Sequence, residues 1–227
     1  MLRQLTDGLW VANKPFRFKP TTLNIGVRMT IIRLADSSLW VHSPIELDDE
    51  LVRSVDELGR VSHIIAPSKV HHLFCGAAKE VWPDALLSAA PGLRYKGVPL
   101  PDPHWLDAGA PEGWDEFEFH EIEGNRAWDE VAFLHKPSRT LLLTDHLFNL
   151  HEVGILYKIP LKLLGGHRKP AWPRAGRFTL WKGDDAKLKA SIEAILAWDF
   201  DRITLAHGEV VESGGRQALE RAYSWLL

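Results

Sequence analysis

Apolar runs of five to eight residues recur along this chain, and each half ends in helical patterns. Three runs come first with no helix between them: "GLWVA" (8–12), "VRMTIIRL" (27–34) and "SLWVH" (38–42). Their aromatic and β-branched content marks them as strands. A helix follows over 43–59, with Ser43 or Asp48 as its cap, apolar residues at Leu51, Val55 and Leu58, and Gly59 as its stop. "VSHIIA" (61–66) reads as a strand closed by Pro67, "VHHLFCGAAKEVW" (70–82) as a helix ending before Pro83, and "ALLSA" (85–89) as another strand. The stretch 91–114 is rich in proline and glycine and reads as loop.

The second half repeats this arrangement. "EFEFHEI" (116–122) alternates polar and apolar residues, as a half-buried strand does. "EVAFLH" (130–135) and "RTLLLT" (139–144) flank "KPS", a hairpin signal. A helix over 184–199, the strand "RITLA" (202–206) and a helix over 213–227 complete the chain. Two sheets that bury one face against each other and the other against helices give an α/β fold, a four-layer α/β/β/α sandwich. The expectation is one domain over 1–227. The opening β-meander argues against a single doubly wound sheet.

Composition narrows the function classes. The 227 residues carry a net charge of −3, without the basic excess of a nucleic-acid binder, so no nucleic-acid partner is expected. Cys75 is the only cysteine, which excludes an internal disulfide and fits a reducing cytoplasm. The start "MLRQLTDGLWVANK" lacks the apolar core of a signal peptide. No run reaches the ~18 apolar residues of a transmembrane segment. The expected localisation is cytoplasmic.

Three strand ends carry polar residues suited to chemistry. "VSHIIA" leads to His71 and His72, "RTLLLT" runs into Asp145 and His146, and "RITLA" runs into His207 and Gly208. Ligands gather beyond the carboxyl ends of strands in α/β sheets. Imidazole and carboxylate together suit zinc, iron or manganese. Taken singly, such a histidine is more often a structural residue; three strand-terminal polar sites in one chain bring the metal-binding and structural readings level.

The order "GLWVA … SLWVHSP … IIAPSKVHHLFCG … HEIEGN … VAFLHKPSRTLLLTDHLF … ITLAHGE" resembles the metallo-β-lactamase superfamily over nearly the whole chain, in a branch with altered metal motifs. That family places His-x-His-x-Asp-His after a strand, a histidine in a Gly-His segment, an aspartate at the end of a hairpin strand and a late histidine at a strand end. Together these hold two metal ions. Here Pro67 and Lys69 replace the two early histidines, His71 replaces the motif aspartate, and His72 keeps the last histidine. Asn125 stands in place of the Gly-His histidine, while Asp145 and His207 are kept.

The replaced residues make up one of the family's two metal sites. The resemblance therefore implies at most one metal, zinc or else iron or manganese, held by His71, His72, Asp145 and His207. A site with no metal is the alternative, with the two histidines hydrogen-bonded to Asp145. Lys69 would reach toward the emptied site and stabilise a developing oxyanion, and Asp145 would be a ligand or the general base. His42, where the family commonly has an aspartate, and Asn125 would support the ligands by hydrogen bonds, although His42 equally suits a satisfied core position.

Residues 153–182 carry seven lysines and arginines and no acid. This basic insert reads either as a lid, with Arg168 and Lys169 drawing in an anionic small-molecule substrate, or as a solvated segment docked on the acidic stretch 102–130. Cys75 reads as a buried helix residue. Two functions remain: a mononuclear metal-dependent hydrolase of unidentified substrate, and a catalytically inactive metallo-β-lactamase fold acting as a binding or scaffold protein.

Overall fold

The computed structural model describes residues 2–17, 24–97, 99–125, 127–151, 169–171 and 183–227. The chain divides into two compact units, Met1–Lys14 with Arg28–Glu116, and Pro15–Val27 with Phe117–Leu227.

The first unit is built on a seven-stranded sheet in sequence order. Its strands are β1 (Leu2–Thr6), β2 (Leu9–Lys14), β3 (Val27–Arg33), β4 (Leu39–His42), β5 (Val61–Ala66), β6 (Leu86–Ala89) and β7 (His104–Trp105). β1 pairs with β2, and β3 with β4, antiparallel, as short connections allow. From β4 to β7 the pairing is parallel. A parallel neighbour needs a crossover, and each crossover here contains a helix: α1 (Asp49–Asp56) between β4 and β5, α2 (Cys75–Val81) between β5 and β6, and α3 (Gly92–Lys96) between β6 and β7. Asp48 caps α1 by accepting the N–H of Leu51, and Leu51 and Val55 are its buried residues. Every residue of β4 is buried, which suits a strand covered on both faces.

Two details differ from the sequence reading. The second helix starts at Cys75 rather than Val70. Ser68 Oγ accepts the N–H of His71 at 3.1 Å and of Val70 at 3.4 Å, a local turn that competes with a helical start. His71 and His72 therefore stand on a loop. The stretch 91–114 contains α3 (Gly92–Lys96), β7 and a 3₁₀ turn over Leu106–Ala108. These elements are too short to show a periodic pattern.

The second unit carries a four-stranded sheet of β8 (Phe117–Glu121), β9 (Val131–His135), β10 (Thr140–Leu142) and β12 (Arg202–Thr204), in the order β12-β10-β9-β8. β9 and β10 form the expected hairpin. β10 and β12 are parallel, with α4 (Asp185–Leu196) between them in the chain. Leu188, Ile192, Ile195 and Leu196 of α4 join Leu134, Leu141, Ile203, Leu219 and Tyr223 in one core cluster. The last two residues belong to α5 (Gly215–Tyr223). A short parallel pair, β11 (Phe148–Asn149) with β13 (His207–Gly208), lies beyond the ends of β10 and β12 in the chain. Gly208 has φ +94°, and a Cβ there would collide with the Asn149 carbonyl, so glycine allows this close pairing.

Candidate metal centre

His71 is set by two strands. β5 ends at Ala66, and the turn closed by Ser68 brings the chain to His71. Its Nδ1 lies 2.9 Å from Ser43 Oγ. Ser43 follows β4 directly, has φ 52°, and donates its own N–H to Ile65 at 3.0 Å. With Nδ1–H donating to Ser43, Nε2 keeps its lone pair for a ligand.

Asp145 stands just beyond β10, where the chain leaves the ladder. The Glu130 carboxylate, fully buried, takes three consecutive backbone N–H groups there: Thr144 at 2.6 Å, Asp145 at 2.8 Å and His146 at 3.1 Å. Burial raises the Glu130 carboxyl to about 7, the nearby Asp145 charge adds to this, and the N–H bonds oppose it. His146 is held from the other side, because its Nδ1 lies 2.8 Å from Tyr223 Oη, which itself donates to the His146 carbonyl at 3.0 Å.

His207 begins β13. Its Nδ1 is 2.6 Å from the Gly26 carbonyl. A carbonyl only accepts, so Nδ1 carries the proton that it donates to Gly26. Phe148 stacks on the ring at 4.9 Å. Nε2 stands 3.4 Å from Asp145 Oδ1.

Asp145 and His207 of the second unit are both buried and face each other, and His71 of the first unit is buried as well. Ligand bonds of ~2.0–2.2 Å at a tetrahedral angle separate neighbouring donors by about 3.3–3.6 Å. The 3.4 Å between Asp145 and His207 already meets that spacing. An imidazole whose other nitrogen is engaged, set at this distance from a carboxylate, fits part of the ligand set of a single divalent ion.

The other candidates take different places. His72 is buried, next to His71 in the chain. Its Nδ1 has no hydrogen-bond partner among the described residues, and burial lowers its pKa to about 4, with Lys96 contributing. Lys69 is half-buried, and its carbonyl accepts from Lys96 Nζ at 2.6 Å. His42 is buried and stacks on Trp40 at 5.7 Å; burial first and His71 second lower its pKa to about 3. Asn125 is buried, and its side-chain oxygen accepts the Ala127 N–H at 3.1 Å, organising a local turn. Lys169 is exposed, whereas Arg168 and most of the insert lie outside the described residues. Cys75 is fully buried, its Sγ 3.8 Å from the Ile65 carbonyl, and burial pushes its thiol far up, as an inert helix cysteine requires. Among the described residues, no helix is long and apolar enough to cross a membrane.

Ser43, Gly26 and Glu130 were not foreseen as site residues. Ser43 read as a helix cap, and the glycine contributes only a carbonyl. Glu130 could have been noticed as an acid at the mouth of the largely apolar run "VAFLH", a strand buried along its whole length.

The chain is similar in structure to the metallo-β-lactamase from Pontibacter korlensis, at 10% identity and a TM-score of 0.68, over 100% of this chain and 98% of that one. A metallo-β-lactamase from Hirschia baltica gives 12% and 0.66, over 100% and 97%. The metal-soaked Flv1 flavodiiron core from Synechocystis sp. PCC6803 gives 10% and 0.69, over 100% of this chain and 60% of that one. At such identities the likeness is one of fold, and the fold is of the metallo-β-lactamase type. No curated protein matches the chain. The family model described as "Domain of unknown function (DUF4336)" matches residues 7–158, so the chain belongs to that family.

Proposed function

We propose that this chain, acting as one domain over 1–227, is a mononuclear metal-dependent hydrolase. The observation that carries this reading is the approach of Asp145 to His207 at 3.4 Å, with Nδ1 of His207 engaged by the Gly26 carbonyl; within the first unit, His71 has its own Nδ1 engaged by Ser43. His71, Asp145 and His207 would hold the ion, zinc or else iron or manganese, and His72 is the candidate fourth ligand. When bound, the ion supplies Lewis-acid polarisation of a carbonyl or phosphoryl oxygen.

The chain's own residues do the rest. Ser43 and the Gly26 carbonyl orient the imidazoles. Glu130 holds the strand end that carries Asp145, which acts as ligand or as general base. Lys69 would place positive charge where an oxyanion develops. The basic insert, through Arg168 and Lys169, would favour an anionic small molecule, and the chain's net charge of −3 argues against nucleic acid. The lone, buried cysteine supports a cytoplasmic setting.

The loss of the family's other ligand set, at Pro67, Lys69 and Asn125, favours a second reading: a binding protein on an inactive fold. Elemental analysis of protein purified without a histidine tag, then reconstituted with zinc, iron or manganese, separates the two. The hydrolase reading expects one metal per chain and its loss in His207→Ala, and no metal under any reconstitution favours the binding protein. Two metals per chain would refute the argument from lost ligands.

A further inference from the structure

We propose that Glu130 is a positioning residue for Asp145: its carboxylate ties down the strand end and thereby fixes where the Asp145 side chain stands. This rests on the mononuclear reading for its effect on metal binding. The geometry itself lies wholly within the second unit.

β10 ends at Leu142, and Leu143 still donates to the Thr204 carbonyl at 2.9 Å. The next three amides turn to a side chain. Glu130 Oε1 takes Thr144, and Oε2 takes Asp145 and His146. A buried N–H left unpaired costs about 1–3 kcal/mol, so three in a row need an acceptor. A carboxylate serves with both oxygens, whereas a carboxamide has one acceptor oxygen and turns an N–H toward an N–H on its other side.

Glu130 is itself fixed. It directly precedes β9, and its carbonyl accepts the Ile122 N–H at 2.8 Å. Tyr223 Oη holds the far end of the segment through His146, whose ring meets Trp128 edge to face at 5.2 Å. Asp145 is thus anchored through its own N–H and through both neighbours, with Oδ1 3.4 Å from His207 Nε2. A purely local strand end would leave the carboxylate free to swing. This one is held by the residue that directly precedes the neighbouring strand β9.

The test compares Glu130→Gln and Glu130→Ala with wild type and His207→Ala. Amide hydrogen exchange of the metal-free proteins reads positioning. Protection should fall at residues 144–146 in Glu130→Gln while β9 and β10 keep theirs. Protection unchanged at 144–146, or lost equally throughout, would overturn the proposal. Should Glu130→Ala fail to fold, Glu130→Gln decides alone.

Zinc competition against a chelator, together with the visible spectrum of cobalt-loaded protein, reads the consequence. Affinity should weaken about 10–100-fold in Glu130→Gln with an altered cobalt spectrum. Altered stability with wild-type affinity and spectrum would make Glu130 structural only and overturn its role at the centre. If wild type takes up no metal, the mononuclear reading fails, and the exchange data still decide whether Glu130 fixes the Asp145 segment.

Discussion

Nε2 of His207 faces Oδ1 of Asp145 at 3.4 Å, while Nδ1 of the same ring is committed to the Gly26 carbonyl. One side of the imidazole is thereby used for orientation and the other is presented to a carboxylate. That division of labour is what a metal-ligating histidine needs.

His207→Ala and Asp145→Asn should therefore abolish tight binding of the single metal, and elemental analysis after gel filtration checks this. Asp145→Asn keeps the shape but removes the charge, so its loss of metal would speak for charge rather than packing. Metal retained at wild-type stoichiometry in both variants would remove them as ligands. Binding should also weaken in acid, because imidazolium cannot ligate.

Ser43→Ala should act through His71. It removes the 2.9 Å partner of Nδ1 without touching the ligating face. Stability should fall by about 1–3 kcal/mol in urea denaturation, and metal affinity by about 10–100-fold. Ser43→Thr, which restores a hydroxyl, should recover part of the affinity. Equal affinity in all three proteins would leave Ser43 as a turn residue only.

Metal-free protein should lose stability as pH falls from 7 to 5. Burial lowers His42 and His146 to about 3, and His72 and His135 to about 4. Each is neutral in the fold but protonates near ~6.5 when unfolded, so its contribution is full above ~6.5 and is lost as pH falls toward the folded value. Glu130 acts the other way: raised to about 7, it contributes below the ordinary carboxyl range and loses that contribution as pH rises through about 7. Four histidines outweigh one glutamate, each with a slope of at most about 1.4 kcal/mol per pH unit. Thermal denaturation from pH 5 to 8 with a chelator present checks the sign, and a flat or rising stability toward pH 5 would contradict it.

Charge reversal at Arg168 and Lys169 tests the basic insert. If the insert draws in an anionic substrate, the double variant should weaken its binding, most strongly at low salt, because exposed charges are screened within about 10 Å at 0.1 M. Identical binding at every ionic strength would leave the insert a structural role.

Much of this protein was legible in the chain itself. Strands announced themselves because β-branched and aromatic residues cluster at buried positions. Asp145 and His207 stood out because each follows an apolar strand directly. Asp48 capping α1 and the β9–β10 hairpin are likewise local facts, written within a few neighbouring residues. The start of α2 was misjudged because Ser68, two residues before Val70, offers its side chain to the backbone, a competition that apolar periodicity does not register.

Which atoms of the site are free to act was decided only by tertiary structure. Ser43 lies 28 residues from His71, and Gly26 lies 181 residues from His207. Glu130 reaches amides 14 to 16 residues further on. A hydrogen bond across such separations leaves no periodic trace, since any serine, glycine carbonyl or glutamate looks the same in one dimension. The tautomer of each histidine and the anchoring of Asp145 depend on those distant partners, so they follow from how the strands pair and not from the residues beside them.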